Sequence, residues 1–313
     1  MYSSFPIEQL AFLRCPQDGG RLEAAQAEGR IADGRVRCRG CAAAFPIKEG
    51  ILSLLDPARL HDECAHERAL RDRHSHLEYA HAIGHPVDNA MEMPPTLASL
   101  CPDGAMVLEL GCGTGRYTTR LVERCRALVA MDFSLGSLAL LAGLLPPDAA
   151  VGLVHADIGD FKAAPGVFDA CLSTLVSNLP TAGHRTAMFR TVAHGLKAEG
   201  RFVFGVHFYN WRDRSGKVRQ ADRYSDGGIF RYRFQRREIV AEARRDFGRV
   251  SARPIKIYLP LAGRLGLPAA PISRCCERLP LLNGFGELLL VEAKRPITGD
   301  HVEKPAAVSI GPA

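Results

Sequence analysis

From residue 101 onward, short apolar runs alternate with longer amphipathic stretches. Short runs rich in valine, leucine and phenylalanine predict buried strands, and the amphipathic stretches between them predict helices. The predicted strands are 105–110, 127–132, 151–155, 167–173, 201–207, 250–259 and 287–293, and the predicted helices are 114–124, 134–145, 181–197 and 235–247. Strands that alternate with helices in this way are typical of an α/β fold built on a parallel sheet.

The pattern differs in the segments that precede this region. Residues 1–56 are rich in turns and carry spaced cysteines, whereas residues 57–100 are polar and hold six of the eleven histidines. We expect 1–56 to form a small domain of its own and 57–100 to form a helical linker that caps the main domain. The main domain is predicted at 101–296, and 297–313 is expected to be a flexible tail.

Composition narrows the class of protein. Of 313 residues, 47% are hydrophobic and 24% are charged, which is typical of a globular protein with one large domain and one small domain. The first fourteen residues lack the basic start and apolar core of a secretory signal, and the best apolar run, 138–145, is too short to span a membrane. We therefore expect a cytoplasmic protein without membrane contact. Ten cysteines in that setting favour free thiols and metal ligands over disulfides.

The segment VLELGCGTGRY places three glycines directly after a predicted strand that contains one carboxylate, Glu109. A parallel strand that leads through a glycine loop into a helix is typical of a nucleotide site, because backbone N–H groups are free there. A dinucleotide-binding loop needs glycine at its first, third and sixth positions. Gly111 and Gly113 fit, but the sixth position is Arg116, and the third glycine falls at Gly115.

The pattern E-x-G-x-G-x-G from Glu109 to Gly115 resembles the first motif of class I S-adenosylmethionine-dependent methyltransferases. The resemblance continues in order through the segments MDFS, HADIGDF, FDACLSTLVSNLP and HGLKAEGRFVFGV. It implies an α/β fold with a seven-stranded, mostly parallel, Rossmann-like sheet whose last strand is antiparallel. It also implies that S-adenosylmethionine is the cofactor, with its ammonium group beside a carboxylate that can form a charge-assisted hydrogen bond.

The same resemblance implies which residues hold the cofactor. An acid at Asp132 would accept hydrogen bonds from both ribose hydroxyls, which suits a carboxylate. Asp157 would bind the adenine amino group while Ile158 packs on the ring, and the end of the fourth strand would lie under the methyl group. The implied cofactor-binding residues are Glu109, Gly111, Cys112, Gly113, Gly115, Asp132, Phe133, Asp157, Ile158 and Ser173.

The cysteines near the start resemble the ligands of a zinc ribbon, a small domain that activates or precedes some methyltransferases. Two turns present paired ligands, with a hairpin between them, and the segment FPIKEGILSLL follows. The implied ligands are Cys15, Asp18, Cys38 and Cys41, although the first pair of such a ribbon is normally Cys-x-x-Cys. Two interpretations stay open: zinc bound by three thiolates and one carboxylate, or a ribbon that has lost its metal and is held by apolar residues.

Candidate catalytic residues follow the fourth and fifth strands, where the family binds its methyl acceptor. They are Asn178, His207 and Tyr209, with His207 as either a general base or a structural histidine. Residues 208–234 interleave aromatic and arginine side chains and are predicted to form a lid, and residues 260–285 insert apolar material before the last strand. Together they predict an acceptor pocket with apolar walls and a cationic rim.

Three functions compete at this point. The first is methyl transfer to oxygen, nitrogen or carbon of a small-molecule acceptor, with an anionic acceptor matching the cationic rim. The second is RNA base methylation, because a zinc ribbon joined to this domain resembles the ribosomal RNA guanine-N1 methyltransferases, and because residues 201–253 hold fourteen Arg and Lys against six Asp and Glu. The third is a non-catalytic scaffold, against which the complete set of Glu109, Asp132 and Asp157 argues.

Overall fold

The computed structural model describes residues 1–25, 29–84, 86–176, 182–223, 228–259 and 266–297, and for residues 74–84 the backbone alone. The strands in these ranges are β1 (Phe5–Pro6), β2 (Leu13–Arg14), β3 (Leu22–Ala24), β4 (Arg30–Ile31), β5 (Gly34–Cys38), β6 (Ala44–Lys48), β7 (Ile51–Ser53), β8 (Met106–Leu110), β9 (Ala127–Asp132), β10 (Val151–His155), β11 (Lys162–Ala163), β12 (Phe168–Thr174), β13 (Leu196–His207), β14 (Ala221–Arg223), β15 (Phe230–Tyr232), β16 (Phe247–Ile257) and β17 (Gly286–Pro296).

The helices in the described part of the chain are α1 (Asp62–Gly84), α2 (Pro86–Leu100), α3 (Thr118–Leu121), α4 (Leu135–Leu144), α5 (Ala182–Gly195), α6 (Trp211–Ser215), α7 (Arg236–Ala243) and α8 (Ala269–Cys276). Short 3₁₀ turns lie at Ile7–Phe12, Pro57–Arg59 and Pro280–Phe285. None of the helices in these ranges has the length and apolar character needed to cross a membrane.

The central sheet contains the predicted parallel core. Its strands run in the order β16-β17-β13-β12-β8-β9-β10 before the sheet continues beyond β10. Neighbouring strands from β10 to β13 are parallel, whereas β17 is antiparallel to both β13 and β16. This arrangement confirms the Rossmann-like fold and the antiparallel last strand. Because the carboxyl ends of β8, β9, β10 and β12 meet at one edge, the loops that follow them come together there.

The sheet is larger than the predicted seven strands. Strand β7 pairs in parallel with β10, with Leu52 opposite Val154 and Ser53 opposite His155, and β6, β5 and β3 then extend the sheet to eleven strands. The sequence predicted a small domain of its own from the turns and spaced cysteines of residues 1–56, and the pairing of β7 with β10 has no local signal. The pairing hydrogen-bonds what would otherwise be an open edge of the parallel sheet.

Residues 1–56 also share an apolar core with the main domain. Phe5, Leu13 and Leu52 are completely buried, and they belong to the same cluster as Val154 and Phe161. The N-terminal segment is therefore part of the packing of the main domain in addition to being part of its sheet. We call residues 1–56 the ribbon from here on.

One predicted helix is much shorter than expected. The pattern predicted a helix over 114–124, but α3 covers only Thr118–Leu121. Gly115 adopts a φ of 91°, which a right-handed helix cannot contain, so the helix can start only after this turn.

Candidate functional site

The glycine loop after β8 has a backbone that requires glycine. Gly111, Gly113 and Gly115 adopt φ angles of 69°, 54° and 91°, all in the left-handed region. A Cβ at Gly111 would clash with the side chain of Val176, and one at Gly115 would clash with Leu141. A Cβ at Gly113 would meet no heavy atom within 4 Å. The outer glycines are thus required by packing, whereas the middle one exposes bare backbone to open space.

Asp132 lies directly beside this bare backbone, at the end of β9. Its carboxylate accepts hydrogen bonds from the N–H of Gly113 at 2.8 Å and from the N–H of Ser134 at 2.8 Å. The residue is only 6% exposed, so two N–H groups fix the carboxylate at the edge of the loop. Each carboxylate oxygen has a second lone pair, so the group can accept further hydrogen bonds from a ligand.

Glu109 is the most deeply buried acid of the site. It is 3% exposed, and its carboxylate accepts a hydrogen bond from the Thr118 hydroxyl at 2.8 Å. Burial raises the pKa of Glu109 to about 8; the Thr118 hydrogen bond opposes this rise, and the charge of Asp132 adds to it. A carboxyl group in this state is stabilised as an anion by a nearby cation.

The third acid, Asp157, follows β10. Burial raises the pKa of Asp157, and the neighbouring His184 partly reverses the effect. Ile158 is buried next to it. The carboxyl edge of β8, β9 and β10 therefore brings together three acids that the sequence predicted as one site, and each of them is shielded from water.

The remaining predicted cofactor residues lie around the same edge. Cys112 is buried, and its N–H donates to the Met131 carbonyl at 3.0 Å, which ties the loop to β9. Phe133 is half-buried, and its carbonyl faces the ring of His155. Ser173 is buried near the end of β12, opposite Leu110, and its hydroxyl has no hydrogen-bond partner among the described residues.

Helix α1 covers this edge, through contacts that no single residue in the sequence indicated. Asp72 accepts hydrogen bonds from the Ser134 hydroxyl at 2.7 Å and from the Gly136 N–H at 3.1 Å, at the start of α4. At the other end of the helix, Glu63 pairs with Arg223 of strand β14 at 2.7 Å. The polar composition of residues 57–100 predicted a helix, but which charged residues would contact the main domain depends on packing alone.

The predicted catalytic residues differ in their surroundings. His207 ends β13, and burial lowers its pKa to about 4, with the charges of Arg231, Arg233 and Lys256 contributing. The Tyr209 hydroxyl donates to the Val218 carbonyl at 2.9 Å, a contact that holds α6 and the residues after it. Asn178 lies outside the described residues. The catalytic roles of all three stay predictions.

The four predicted metal ligands do come together. Their ligand atoms all lie within 4.8 Å of one another. The Cys15 and Cys41 sulfurs are 3.7 Å apart, and the Cys38 sulfur is 3.2 Å from the Asp18 carboxylate. Asp18 also accepts a hydrogen bond from the Gly20 N–H at 2.8 Å, which orients its carboxylate. Three thiols and one carboxylate at this spacing fit a single tetrahedral zinc ion.

The fold and the site together define a class of protein. A Rossmann-like sheet with this strand order, a glycine loop after its central strand and an acid after the next strand form the framework of the class I methyltransferases. In agreement, residues 107–200 match the family model described as a methyltransferase domain. Residues 8–50 match the family model of Trm112p-like proteins. The chain thus carries a methyltransferase domain preceded by a Trm112p-like, zinc-ribbon-like region.

Individual relatives are distant. The Bacillus subtilis protein YqeM, provisionally named a methyltransferase, is 28% identical over 109 residues, which are 34% of this chain and 44% of YqeM. A Mesorhizobium loti S-adenosylmethionine dependent methyltransferase is 19% identical, with a TM-score of 0.50 over 67% of this chain and 100% of its own.

A further solved structure is the complex between the Haloferax volcanii Trm112 methyltransferase activator and a provisionally assigned methyltransferase. It gives a TM-score of 0.52 at 16% identity, over 72% of this chain and 98% of that one. At such identities the two solved structures show the fold alone. The chain spans less than half the length of YqeM.

Proposed function

We propose that this protein transfers the methyl group of S-adenosylmethionine to a small-molecule acceptor. The observation that carries the proposal is the Asp132 carboxylate, which two N–H groups hold beside the bare backbone of Gly113. In this proposal Asp132 binds the two ribose hydroxyls and Asp157 binds the adenine amino group. When bound, the cofactor supplies an electrophilic methyl group on a positively charged sulfur.

The charge of the site supports this cofactor over a dinucleotide. Glu109, Asp132 and Asp157 are all buried, on or directly after three neighbouring parallel strands. Buried carboxylates repel the pyrophosphate of a dinucleotide, whereas they attract an ammonium and a sulfonium group. The pKa of Glu109, raised by burial, returns toward its ordinary value when a cation lies next to it. We therefore assign Glu109 to the ammonium group of the methionine half.

The cover of the site favours a small acceptor. Helix α1, which packs against the start of α4 at this edge, is joined to the hairpin of β14 and β15 by the Glu63–Arg223 ion pair. Arg231 of β15 and Arg233, which follows that strand, both form ion pairs with Asp222 of β14, at 2.8 and 2.9 Å. These arginines hold the cover together, which leaves them less available for phosphates of a nucleic acid.

RNA is the competing acceptor, and a separate surface favours it. Trp211 is 61% exposed on α6, next to the exposed Arg212, Arg214 and Lys217. An exposed aromatic ring among cations is a surface on which single-stranded bases stack. The Trm112p-like match and the Haloferax volcanii complex are compatible with this alternative.

We further propose that Cys15, Asp18, Cys38 and Cys41 hold one zinc ion. The metal would stabilise the turns that carry β3 and β5, and hence the added strands of the sheet. It would lie in the ribbon and take no part in methyl transfer. A carboxylate in place of the fourth thiolate is expected to weaken the site relative to four cysteines.

The acceptor class is tested with cofactor labelled in its methyl group. The full-length protein is incubated with a low-molecular-weight cell extract and, separately, with total RNA. The proposal predicts label in the small-molecule fraction with the wild-type protein and none with Asp132→Ala. Label in RNA alone, lost in Trp211→Ala and suppressed by salt, would replace the small-molecule acceptor by RNA.

A further inference from the structure

His155 is a residue through which the ribbon contacts the cofactor edge. This residue ends β10 and lies opposite Ser53 of β7 in the parallel pairing. The Ser53 hydroxyl is 2.9 Å from His155 Nδ1, and the N–H groups of Leu54 and Leu55 donate to the His155 carbonyl at 2.9 and 3.1 Å. Both the side chain and the backbone of His155 are thus held by the ribbon.

The other side of the same residue holds the segment that follows β9. His155 Nε2 lies 3.2 Å from the Phe133 carbonyl oxygen. In addition, His155 is paired with Asp132 across β9 and β10, and the next N–H, that of Ala156, donates to the Asp132 carbonyl at 3.0 Å. His155 is therefore a direct bridge from the ribbon to the residue next to the ribose-binding carboxylate.

The chemistry of the imidazole decides which ring nitrogen of His155 donates a hydrogen bond and which accepts one. The Phe133 carbonyl can only accept, so Nε2 carries the proton, and Nδ1 is left to accept from the Ser53 hydroxyl. The ring is 8% exposed, and burial lowers its pKa, which favours this neutral form. Arg68 and Asp72 of α1 also face the ring and act on its charge in opposite directions.

We infer that His155 is a positioning residue through which the ribbon sets the place of residues 132–134. Loss of the Ser53 hydroxyl frees the ring to turn, and the Phe133 carbonyl then loses its fixed donor. The Asp132 carboxylate is carried by the same segment, so its alignment with a ribose depends on a side chain of the ribbon. The part that concerns ribose rests on the proposed function, whereas the ordering of residues 132–134 does not.

The test uses the full-length protein and S-adenosylhomocysteine as the probe, with binding measured by calorimetry. Ser53→Ala removes the hydrogen bond between Ser53 and His155, and His155→Asn removes the donor to the Phe133 carbonyl. The double variant removes both contacts of the same bridge. Tyr2→Phe is the matched control, since it removes another buried hydroxyl of the ribbon, the donor to the Gly50 carbonyl, without touching His155. Urea unfolding of every variant separates loss of stability from loss of affinity.

We expect Ser53→Ala and His155→Asn each to weaken binding about three- to tenfold, the size of one neutral hydrogen bond. The double variant should bind no more weakly than His155→Asn, because the two groups act through one bridge. Tyr2→Phe should stay within about twofold of the wild type at a similar loss of stability. Equal affinities for Ser53→Ala and Tyr2→Phe would overturn the inference.

Hydrogen exchange in the absence of any ligand gives an independent readout. Amides of residues 132–136 should exchange faster in Ser53→Ala than in the wild type, while those of α8 stay unchanged. If the wild-type protein does not bind S-adenosylhomocysteine, the proposed function is wrong. The exchange result alone then tests whether His155 and Ser53 order residues 132–134. Unchanged exchange at 132–136 in Ser53→Ala would refute it.

Discussion

At the scale of single residues, Asp132 is the most direct test of the cofactor site. Asp132→Ala should weaken S-adenosylhomocysteine binding by about 1–3 kcal/mol, because charge-assisted bonds to both ribose hydroxyls are lost. Calorimetry on the wild type and the variant measures the difference. Asp169→Ala is a useful control, since that acid binds Lys197 and the Met106 N–H at the amino-terminal ends of β12 and β8, opposite to the cofactor edge. Unchanged affinity in Asp132→Ala would show that the ribose assignment is wrong.

Glu109 predicts a pH dependence of cofactor binding. With a pKa of about 8 in the free protein, this group is mostly protonated at pH 7 and must lose its proton to pair with an ammonium. Affinity for S-adenosylhomocysteine should therefore rise by up to about tenfold per pH unit below pH 8 and then level off. Binding measured in buffers of different ionisation enthalpy should show proton release. Glu109→Gln should abolish both effects.

The raised pKa of Glu109 also leads to a prediction of how the free energy of unfolding varies with pH when no ligand is present. The folded protein holds the Glu109 proton up to a pKa of about 8, whereas unfolded glutamate loses it near 4.5. The free energy of unfolding should therefore fall as pH rises between these values, by about 1.4 kcal/mol per unit from this group. Urea titrations of the wild type against Glu109→Gln isolate its share. A wild-type slope no steeper than that of the variant would contradict the buried, protonated Glu109.

Among the elements, the ribbon makes the sharpest prediction about metal. The purified protein should hold about one zinc ion per chain, and Cys38→Ser should lose it. Asp18→Cys should bind zinc more tightly than the wild type, because it restores the four-thiolate set. Metal analysis and competition with a chelator measure both. Equal zinc content in the wild type and Cys38→Ser would show that the cluster does not hold the metal.

The junction of β7 with β10 predicts that the ribbon and the main domain unfold together. Leu52 is completely buried at this junction, so Leu52→Ala should lower the free energy of unfolding by about 2–5 kcal/mol. The 92% exposed Leu281 provides the control, since Leu281→Ala should change stability by less than about 0.5 kcal/mol. A separate, earlier transition of the ribbon in urea would contradict the shared core.

The elements also show what could be predicted from sequence. Buried parallel strands are continuous apolar runs, so β8, β9 and β10 were predicted within a residue of their observed ends. The acids and glycines of the site follow those strands directly and could be predicted as well. The pairing of Ser53 with His155 could not, because the two residues are 102 positions apart and nothing in the segments that contain them indicates that they meet. The contacts of Asp72 could not be predicted from the sequence either, since they arise only when α1 packs on α4.

At the scale of the whole molecule, the chain combines in one sheet two parts that match two family models. In the Haloferax volcanii structure, an activator and a methyltransferase form a complex. Here the Trm112p-like region belongs to the same chain, and the ribbon that contains it supplies four strands of the same sheet. Covalent linkage removes the entropic cost of association, so the joined state does not depend on protein concentration.

We propose above that the acid-lined glycine loop binds S-adenosylmethionine. Isothermal titration of the pure, folded full-length protein with S-adenosylhomocysteine at pH 8 decides whether it does. We expect one binding site per chain, with weaker binding in Asp132→Ala. Absence of binding heat at this pH, with a wild-type protein that unfolds cooperatively in urea, would contradict it.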